Sequence, residues 1–450
     1  MAKVMEGSIE QVWVDKLMAE YQANDKNGVV RRSLSRSGLA DSAYEPTALA
    51  RTNLVFSDEI KTMAVTNQKS SGRCWIFAGL NLLREIVAKK CLIQGKFELS
   101  QNYISLYDKI EKANFAMESI VSLAQYSPNE RVFQFILDNP ISDGGQWDMF
   151  VNLVSKYGIM PKSCFPETYN SNATRETNFL VNAAIRKFAH DAHQLAVKGK
   201  PSQIRTLKEE VLKKIYTLYL NAFGVPPKDF EFEWVEVKNG KETFKKKTFT
   251  PKSFFDTYIG KEINEYQSLI NSPTEDKPFG KNYTIDYLGN VVEGKPINHV
   301  NVTMDEMKEA IIKQLKAGEP VWFGSDVSFY RDRETYAWDS GAFDFEGSYG
   351  IPLDFEKGDM LDYRHSAMNH AMVIVGVDLA GGVAKKWKIE NSWGDNNGSA
   401  GYYVMSAEWF DRFVYQAVVK TKYLKKETAA AAKKSPIHLN PWDPMGTLAD

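Results

Sequence analysis

Apolar positions recur at helical spacing in several parts of the chain. After Cys74 they fall at Ile76, Leu80, Leu83 and Val87, which predicts a helix with a buried face. Ser70 and Ser71 precede it and are expected to cap it. A second helix is predicted near Ser100. A third carries Leu207, Val211, Ile215, Leu218 and Ala222 and is stopped by Gly224 and Pro226. Ser8 to Gln11 has a capping-box pattern, opening a helix through Trp13, Leu17 and Tyr21. Thr303 and Glu306 repeat that pattern, with a stop at Gly318 and a strand from Val321. Phe230, Phe232 and Trp234 alternate with polar residues, and Asn239-Gly240 supplies a hairpin turn. Further strands are expected at 370–377, 387–393 and 401–406. Residues 25–56 read as irregular, and 424–438 as a linker or short exposed helix. Asp143 to Trp147 reads as a tight turn feeding a short helix.

Composition narrows the class. A chain of 450 residues has room for two or three lobes around a large core. Hydrophobic residues make up 43% and the net charge is −1, so no global basic field draws the chain to nucleic acid or membrane. Three cysteines, Cys74, Cys91 and Cys164, do not make a disulfide framework. The N-terminus lacks the apolar core of a signal peptide, and Asp378 ends the longest apolar run. A cytoplasmic protein is expected.

The chemistry gathers around Cys74. A thiol in the first turn of a buried helix feels the helix dipole, which favours the thiolate; a pKa of roughly 3.5–7.5 is expected if an imidazolium stands beside it. Free cysteine is also among the most buried residue types, so the segment alone does not decide. A base is needed, and a group to orient it. His370 stands at the mouth of an apolar strand, and a reversal at Gly381-Gly382 brings Asn391 back to the same end. The Asn391 oxygen can then accept from the imidazole, and Trp393 can shield that bond. No His-x-x-x-His or Cys-x-x-Cys spacing occurs, so neither metal nor cofactor is expected.

Together these blocks resemble the papain-type cysteine peptidases, and within them the bleomycin hydrolase and bacterial aminopeptidase C family. Ser71-Gly72-Arg73-Cys74-Trp75 matches the nucleophile block. Ser71 replaces a disulfide cysteine of secreted members. Asn369-His370-Ala371 and Asn391-Ser392-Trp393-Gly394 match the other two catalytic blocks. By resemblance, Gln68 is the oxyanion donor, Gly144 and Gly145 pair with the substrate backbone, and Asn369 belongs to the substrate site. Cys74 and His370 are 296 positions apart, against about 130–150 in simple papain-like chains; the excess falls at 165–300.

The resemblance implies an α+β, two-lobed papain-like fold: a helical lobe, an antiparallel β lobe, a helical insertion and a C-terminal arm. The divisions are 1–60 for an N-terminal helix and arm, 61–164 for the Cys74 lobe, 165–300 for a helical or hook insertion, 301–422 for the lobe with His370 and Asn391, and 423–450 for a linker and arm. It implies a cysteine aminopeptidase acting on peptides with free N-termini through an acyl-enzyme, with bleomycin-hydrolase-type amide hydrolysis, assembled as a homohexamer. The Trp442-Asp443-Pro444-Met445-Gly446 segment resembles the family's arm. That arm lies in the cleft and presents a terminal carboxylate, at Ala449 or Asp450, to the substrate amine. Two other readings stand beside it: a papain-like endopeptidase with an open cleft, and a nucleic-acid-binding ring using Lys245-Lys246-Lys247.

Overall fold

In the computed structural model, which describes residues 7–449 except the side chain of Leu49, the helix Cys74–Cys91 is the axis of the first lobe. It buries fourteen of its eighteen residues, so it is enclosed by neighbours on nearly every side. The helices Gln101–Leu123 and Trp147–Tyr157 pack against it. Gly79 admits the Phe150 ring, which a Cβ there would meet at 2.8 Å. Ser100 caps the second helix by accepting from the Tyr103 amide at 3.1 Å. The insertion helices Arg175–Val197 and Pro201–Phe223 extend the same apolar cluster through Ile185, Phe188, Ile215 and Tyr219.

The second lobe is a sheet of twelve strands among the described residues. His370–Ala380 lies near its centre, antiparallel to Val321–Ser325 on one side and to Val383–Glu390 on the other. Most pairings are antiparallel as expected, but three are parallel: Ile437–Leu439 with Asn282–Ile285, Tyr266–Ile270 with His299–Asn301, and Tyr402–Ser406 with Ala337–Trp338. The sheet is therefore mixed, because strands from the 266–301 stretch and the chain end enter it by long connections rather than by hairpins. The hairpin Phe230–Lys238 and Lys241–Phe249 stands apart as a two-stranded sheet.

Several local expectations are corrected. The first helix is Gln11–Ala23, with Glu10 at its cap; Gln11 donates to Asp15 at 2.8 Å instead of reaching back to Ser8. Residues 25–34 are helical, not irregular; Asn24 caps them, and no side chain of that helix is buried, so no apolar period marks it. Ser70 and Ser71 do not cap the Cys74 helix. Arg73 occupies the cap position, and the Ser71 hydroxyl donates to the Gln68 carbonyl at 2.6 Å. The Thr303 box is half formed: Thr303 accepts from Glu306 N at 3.3 Å, while the Glu306 carboxylate accepts from Thr428. Thr428 and Ala431 are buried in a short helix, Lys426–Ala431, so 424–438 is docked structure rather than an exposed linker.

The lobes are tied by a buried ion pair. Arg84, from the Cys74 helix, reaches Glu390 on the sheet at 2.8 Å, and Asn81 donates to the same oxygen at 2.9 Å. Both charged side chains are 1% exposed. Burial pushes the Glu390 carboxyl up, and Arg84 opposes that. Removing one partner of such a pair leaves a buried charge and costs about 3–5 kcal/mol. Arg84→Met is therefore expected to lower stability by that order in urea unfolding at neutral pH. The deficit should shrink on acidification, because the raised Glu390 carboxyl takes up a proton in the folded state.

Candidate active site

The helix that carries Cys74 starts at that residue. The turn before it is fixed by Arg73, whose buried guanidinium donates to Ser71 Oγ at 2.8 Å and pairs with Glu167 at 3.0 Å. This points the thiol out of the helix end toward the sheet. There the Ala371 amide donates to Cys74 Sγ at 3.4 Å. Ala371 follows His370, so the sulfur and the imidazole arise on adjoining positions across the lobe junction.

The sheet register does the rest. Val373 lies opposite Glu390, so the chain beyond Glu390 returns beside His370. The His370 Nε2 donates to Asn391 Oδ1 at 2.9 Å, which assigns the tautomer by its partner and leaves Nδ1 as the basic nitrogen. The Trp393 ring stacks on the imidazole at 4.8 Å and 25°. Ser392, between them, donates from its hydroxyl to Gln68 Oε1 at 2.7 Å and accepts at its carbonyl from the Gln68 amide at 2.8 Å. Gln68 Nε2 donates to the Ser71 carbonyl at 2.8 Å. Its side chain is thus clamped at both ends beside the thiol.

The cleft, about 430 Å³, is lined by Gln68, Cys74, Gly144 and His370, and also by Thr447 and Leu448 from the end of the chain. The Gly145 amide donates to the Leu448 carbonyl at 3.0 Å, and Ser142 Oγ donates to the Ala449 carbonyl. A Cβ on Gly144 would stand 2.9 Å from Ala449 Cα, and one on Gly145 would enter the Trp75 ring at 2.5 Å; both glycines are there for close approach. Asn369 spends its side chain on the adjoining turn, donating to Asp326 at 2.6 Å and Ser328 at 2.8 Å, and accepting from Val327 N at 3.0 Å. The structure thus brings together Gln68, Cys74, Gly144, Gly145, Asn369, His370, Asn391, Trp393 and Ala449. Asp450 lies outside the described residues.

Other contributions carry no motif. Asp143 accepts from Lys109 at 2.5 Å, Thr174 at 2.5 Å and Asn178 at 2.9 Å, while its carbonyl accepts from Trp75 Nε1 at 2.7 Å. Lys112, beneath, donates to the Gly144 carbonyl. The arm is pinned upstream: Asp443 pairs with buried Lys277 at 3.0 Å, and Arg131 lies 3.6 Å from the centre of the Trp442 ring. A charged residue beside the glycine pair and a Trp-Asp dipeptide in the tail were the only hints in sequence.

Electrostatics in the closed cleft run against the sequence expectation. Burial pushes the Cys74 thiol up to about 11, with the Ala371, Trp75 and Cys74 amides opposing it. Burial pulls His370 down to about 4, with Asn391 opposing it and Arg331 adding to it. Both displacements disfavour a lone charge in a dry site. Burial thus opposes charge on either group taken alone.

A family model described as the Peptidase C1-like family matches residues 8–446. Aminopeptidase C of Listeria monocytogenes serovar 1/2a is 41% identical over 437 residues, covering 97% of this chain and 98% of its own. Aminopeptidase C of Lactobacillus delbrueckii subsp. lactis is 43% identical over 431 residues, covering 95% and 93%. Among solved structures, PepW from Lactobacillus rhamnosis HN001 matches with a TM-score of 0.94 at 40% identity, covering 98% of this chain and 99% of that one.

Since burial is what raises the thiol, wetting the cleft should lower it. Deleting residues 445–450 is expected to shift the pH midpoint of Cys74 alkylation by iodoacetamide downward, followed by peptide mass mapping. An unchanged midpoint would show that the arm does not set the dielectric of the cleft.

Proposed function

The chain belongs to the Peptidase C1-like family, and from that premise we propose that it is a cysteine aminopeptidase whose own C-terminal segment limits how far a peptide can enter the cleft. The observation that carries this is the seating of Thr447 and Leu448 in the same cleft as Cys74 and His370. An occupied cleft admits a short stretch of substrate before the scissile bond, which favours removal of N-terminal residues over internal cutting.

In this reading His370 Nδ1 takes the Cys74 proton and the sulfur attacks the carbonyl. The Gln68 side-chain amide and the Cys74 backbone N–H face the oxyanion; losing one such donor costs about 3–4 kcal/mol of transition-state stabilisation. Asn391 holds the imidazole tautomer, and Trp393 keeps water off that bond. The imidazolium then protonates the leaving amine, and water hydrolyses the acyl-enzyme. Gly144 and Gly145 receive substrate backbone, and the end of the arm meets the substrate amino group. Hydrolysis of bleomycin-type amides fits the same site, because the chemistry asks only for a free amine and an adjacent amide.

The open-cleft endopeptidase reading is disfavoured by the seated arm. The nucleic-acid reading is disfavoured by charge matching: Lys246 pairs with Glu231 at 2.7 Å and with Glu233 at 3.3 Å across the hairpin. A reducing, cytoplasmic setting is supported by three free cysteines; no helix of the described residues is long and apolar enough to cross a membrane. A homohexamer is supported by apolar surface that this chain does not cover, since Val12 and Trp13 on the first helix are 78% and 54% exposed.

Cys74→Ser is expected to abolish turnover of an aminoacyl-amide while leaving the circular dichroism spectrum unchanged; wild-type rates would dismiss the nucleophile. Wild-type protein should cleave free but not N-acetylated peptides, and deletion of 445–450 should admit the acetylated ones. Equal handling of both by the intact chain would end the aminopeptidase reading. Native mass spectrometry is expected to give six copies, with Trp13→Glu shifting the mass toward smaller species.

A further inference from the structure

Beside the cleft lies a cavity of about 1050 Å³, walled by Tyr44, Phe329, Phe343, Phe345 and Arg331. None of the residues that hold the arm lines it. It adjoins the cleft through Asn369, a cleft residue, which donates to Ser328 at 2.8 Å and accepts from Val327 N at 3.0 Å, both cavity residues.

Arg331 stands at that junction. Its guanidinium carbon lies 4.5 Å from the centre of the Trp393 ring, and that ring lies 4.8 Å from the imidazole of His370. Trp338 and Tyr403 flank the same guanidinium at 5.7 and 5.8 Å. Aromatic faces attract the charge but do not satisfy its N–H groups. Arg331 and the Tyr403 hydroxyl interact with each other, and neither Arg331 Nε nor that hydroxyl has another partner. Arg331 joins none of the ion pairs among the described residues. The nearest carboxylates in sequence are engaged elsewhere: Asp332 accepts from Tyr44 at 3.1 Å and from Thr335 at 2.5 Å, and Asp339 pairs with Arg51 at 3.0 Å. Of the other acids on the wall, Asp41 accepts from the Gly38 amide, and Glu334 is exposed. A half-buried guanidinium held flat on an aromatic ring, with no carboxylate partner among the described residues, is suited to a planar carboxylate, which takes two N–H groups at once.

We propose that this cavity receives the part of the peptide released on cleavage, and that Arg331 binds the carboxylate of that leaving peptide. The inference rests on the aminopeptidase reading and adds a length and charge preference to it. The arm fills the side of the cleft before the scissile bond, so the remainder of the substrate must run past Trp393. An extended chain advances about 3.3–3.6 Å per residue, so about two or three leaving residues bring a carboxylate to Arg331.

The test compares Ala-Ala-Ala with its C-terminal amide and with alanine p-nitroanilide. Wild-type protein is expected to prefer the acid over the amide at least tenfold, through KM. Arg331→Gln should abolish the acid-over-amide ratio, beyond any common change it makes to all three substrates through Trp393 and His370; Arg331→Lys should keep part of the preference. An amidated tripeptide ending in Asp separates the two sources of carboxylate: regained preference means that a side-chain acid also serves, and no regain means that only the terminal one does, both within the proposal. Wild-type protein that treats acid and amide alike, or Arg331→Gln that weakens all three substrates equally, overturns it. Calorimetric binding of the same peptides to Cys74→Ser protein reads the contact without turnover. A lack of hydrolysis would then count against the aminopeptidase reading, while acid-over-amide binding would still decide this one.

Discussion

The site depends on one constraint: the register between the strands His370–Ala380 and Val383–Glu390. Gly381 and Gly382, both at positive φ, let the chain reverse in a tight turn. That reversal sets Val373 against Glu390 and delivers Asn391, Ser392 and Trp393 in sequence beside His370. The three divide the work, since Asn391 fixes the tautomer, Ser392 clamps Gln68, and Trp393 covers the imidazole. A slip of one residue would turn every side chain of the strand to the opposite face. Imidazole, carboxamide and oxyanion donor would be lost together. Glu390, the last residue of that strand, also takes the ion pair from Arg84, so the same register locks the Cys74 helix to the sheet.

Dryness governs the chemistry in this frame. A cleft filled by the chain's own end penalises charge, which raises the thiol and lowers the imidazole. Charge is nevertheless buried close by, and it is matched. Asp143 is pushed up by burial but held well below the usual carboxylate range by Lys109, Thr174 and Asn178. This carboxylate joins three parts of the chain: the first-lobe helix through Lys109, the insertion through Thr174 and Asn178, and the nucleophile turn through the Gly72 amide at 3.3 Å. Thr174 and Asn178 therefore brace the loop against which the arm is seated.

Much of this was legible because function and packing leave different marks. The Cys74 helix announced itself by a buried stripe, the strand from 370 by a continuous apolar run, and the strand near 387 by alternation of Trp387 and Ile389 with Lys388 and Glu390. Cys74, His370, Asn391, Gln68 and Trp393 stood in short blocks whose neighbours constrain them. What was not legible lacked a local signature. The helix Asp25–Leu34 buries nothing, so its residues carry no apolar period. The parallel pairings join segments far apart in sequence, and pairing of that kind leaves no trace in either strand alone. Ser71 was a plausible cap on chemistry, but its hydroxyl was claimed by the Gln68 carbonyl and by Arg73. The helix end argues for the thiolate, while only the packed structure shows the burial that opposes it.

The arm is anchored by charge upstream and by apolar burial at its tip, where Met445, Leu448 and Ala449 join the first-lobe core. Trp442 and Asp443 are secured by a cation over a ring and by a buried ion pair. Closer to the thiol, the contacts are mostly single hydrogen bonds to backbone carbonyls: Gln146 to Met445, Gly145 to Leu448 and Ser142 to Ala449. Each such bond contributes only about 0.5–1.5 kcal/mol net, so burial of the Met445 and Leu448 side chains in the first-lobe core holds the tip more firmly than these bonds do. An arm fixed in this way at 442–443 and again at 445–449 stays in the cleft as a stop, which the proposed limit on substrate entry requires.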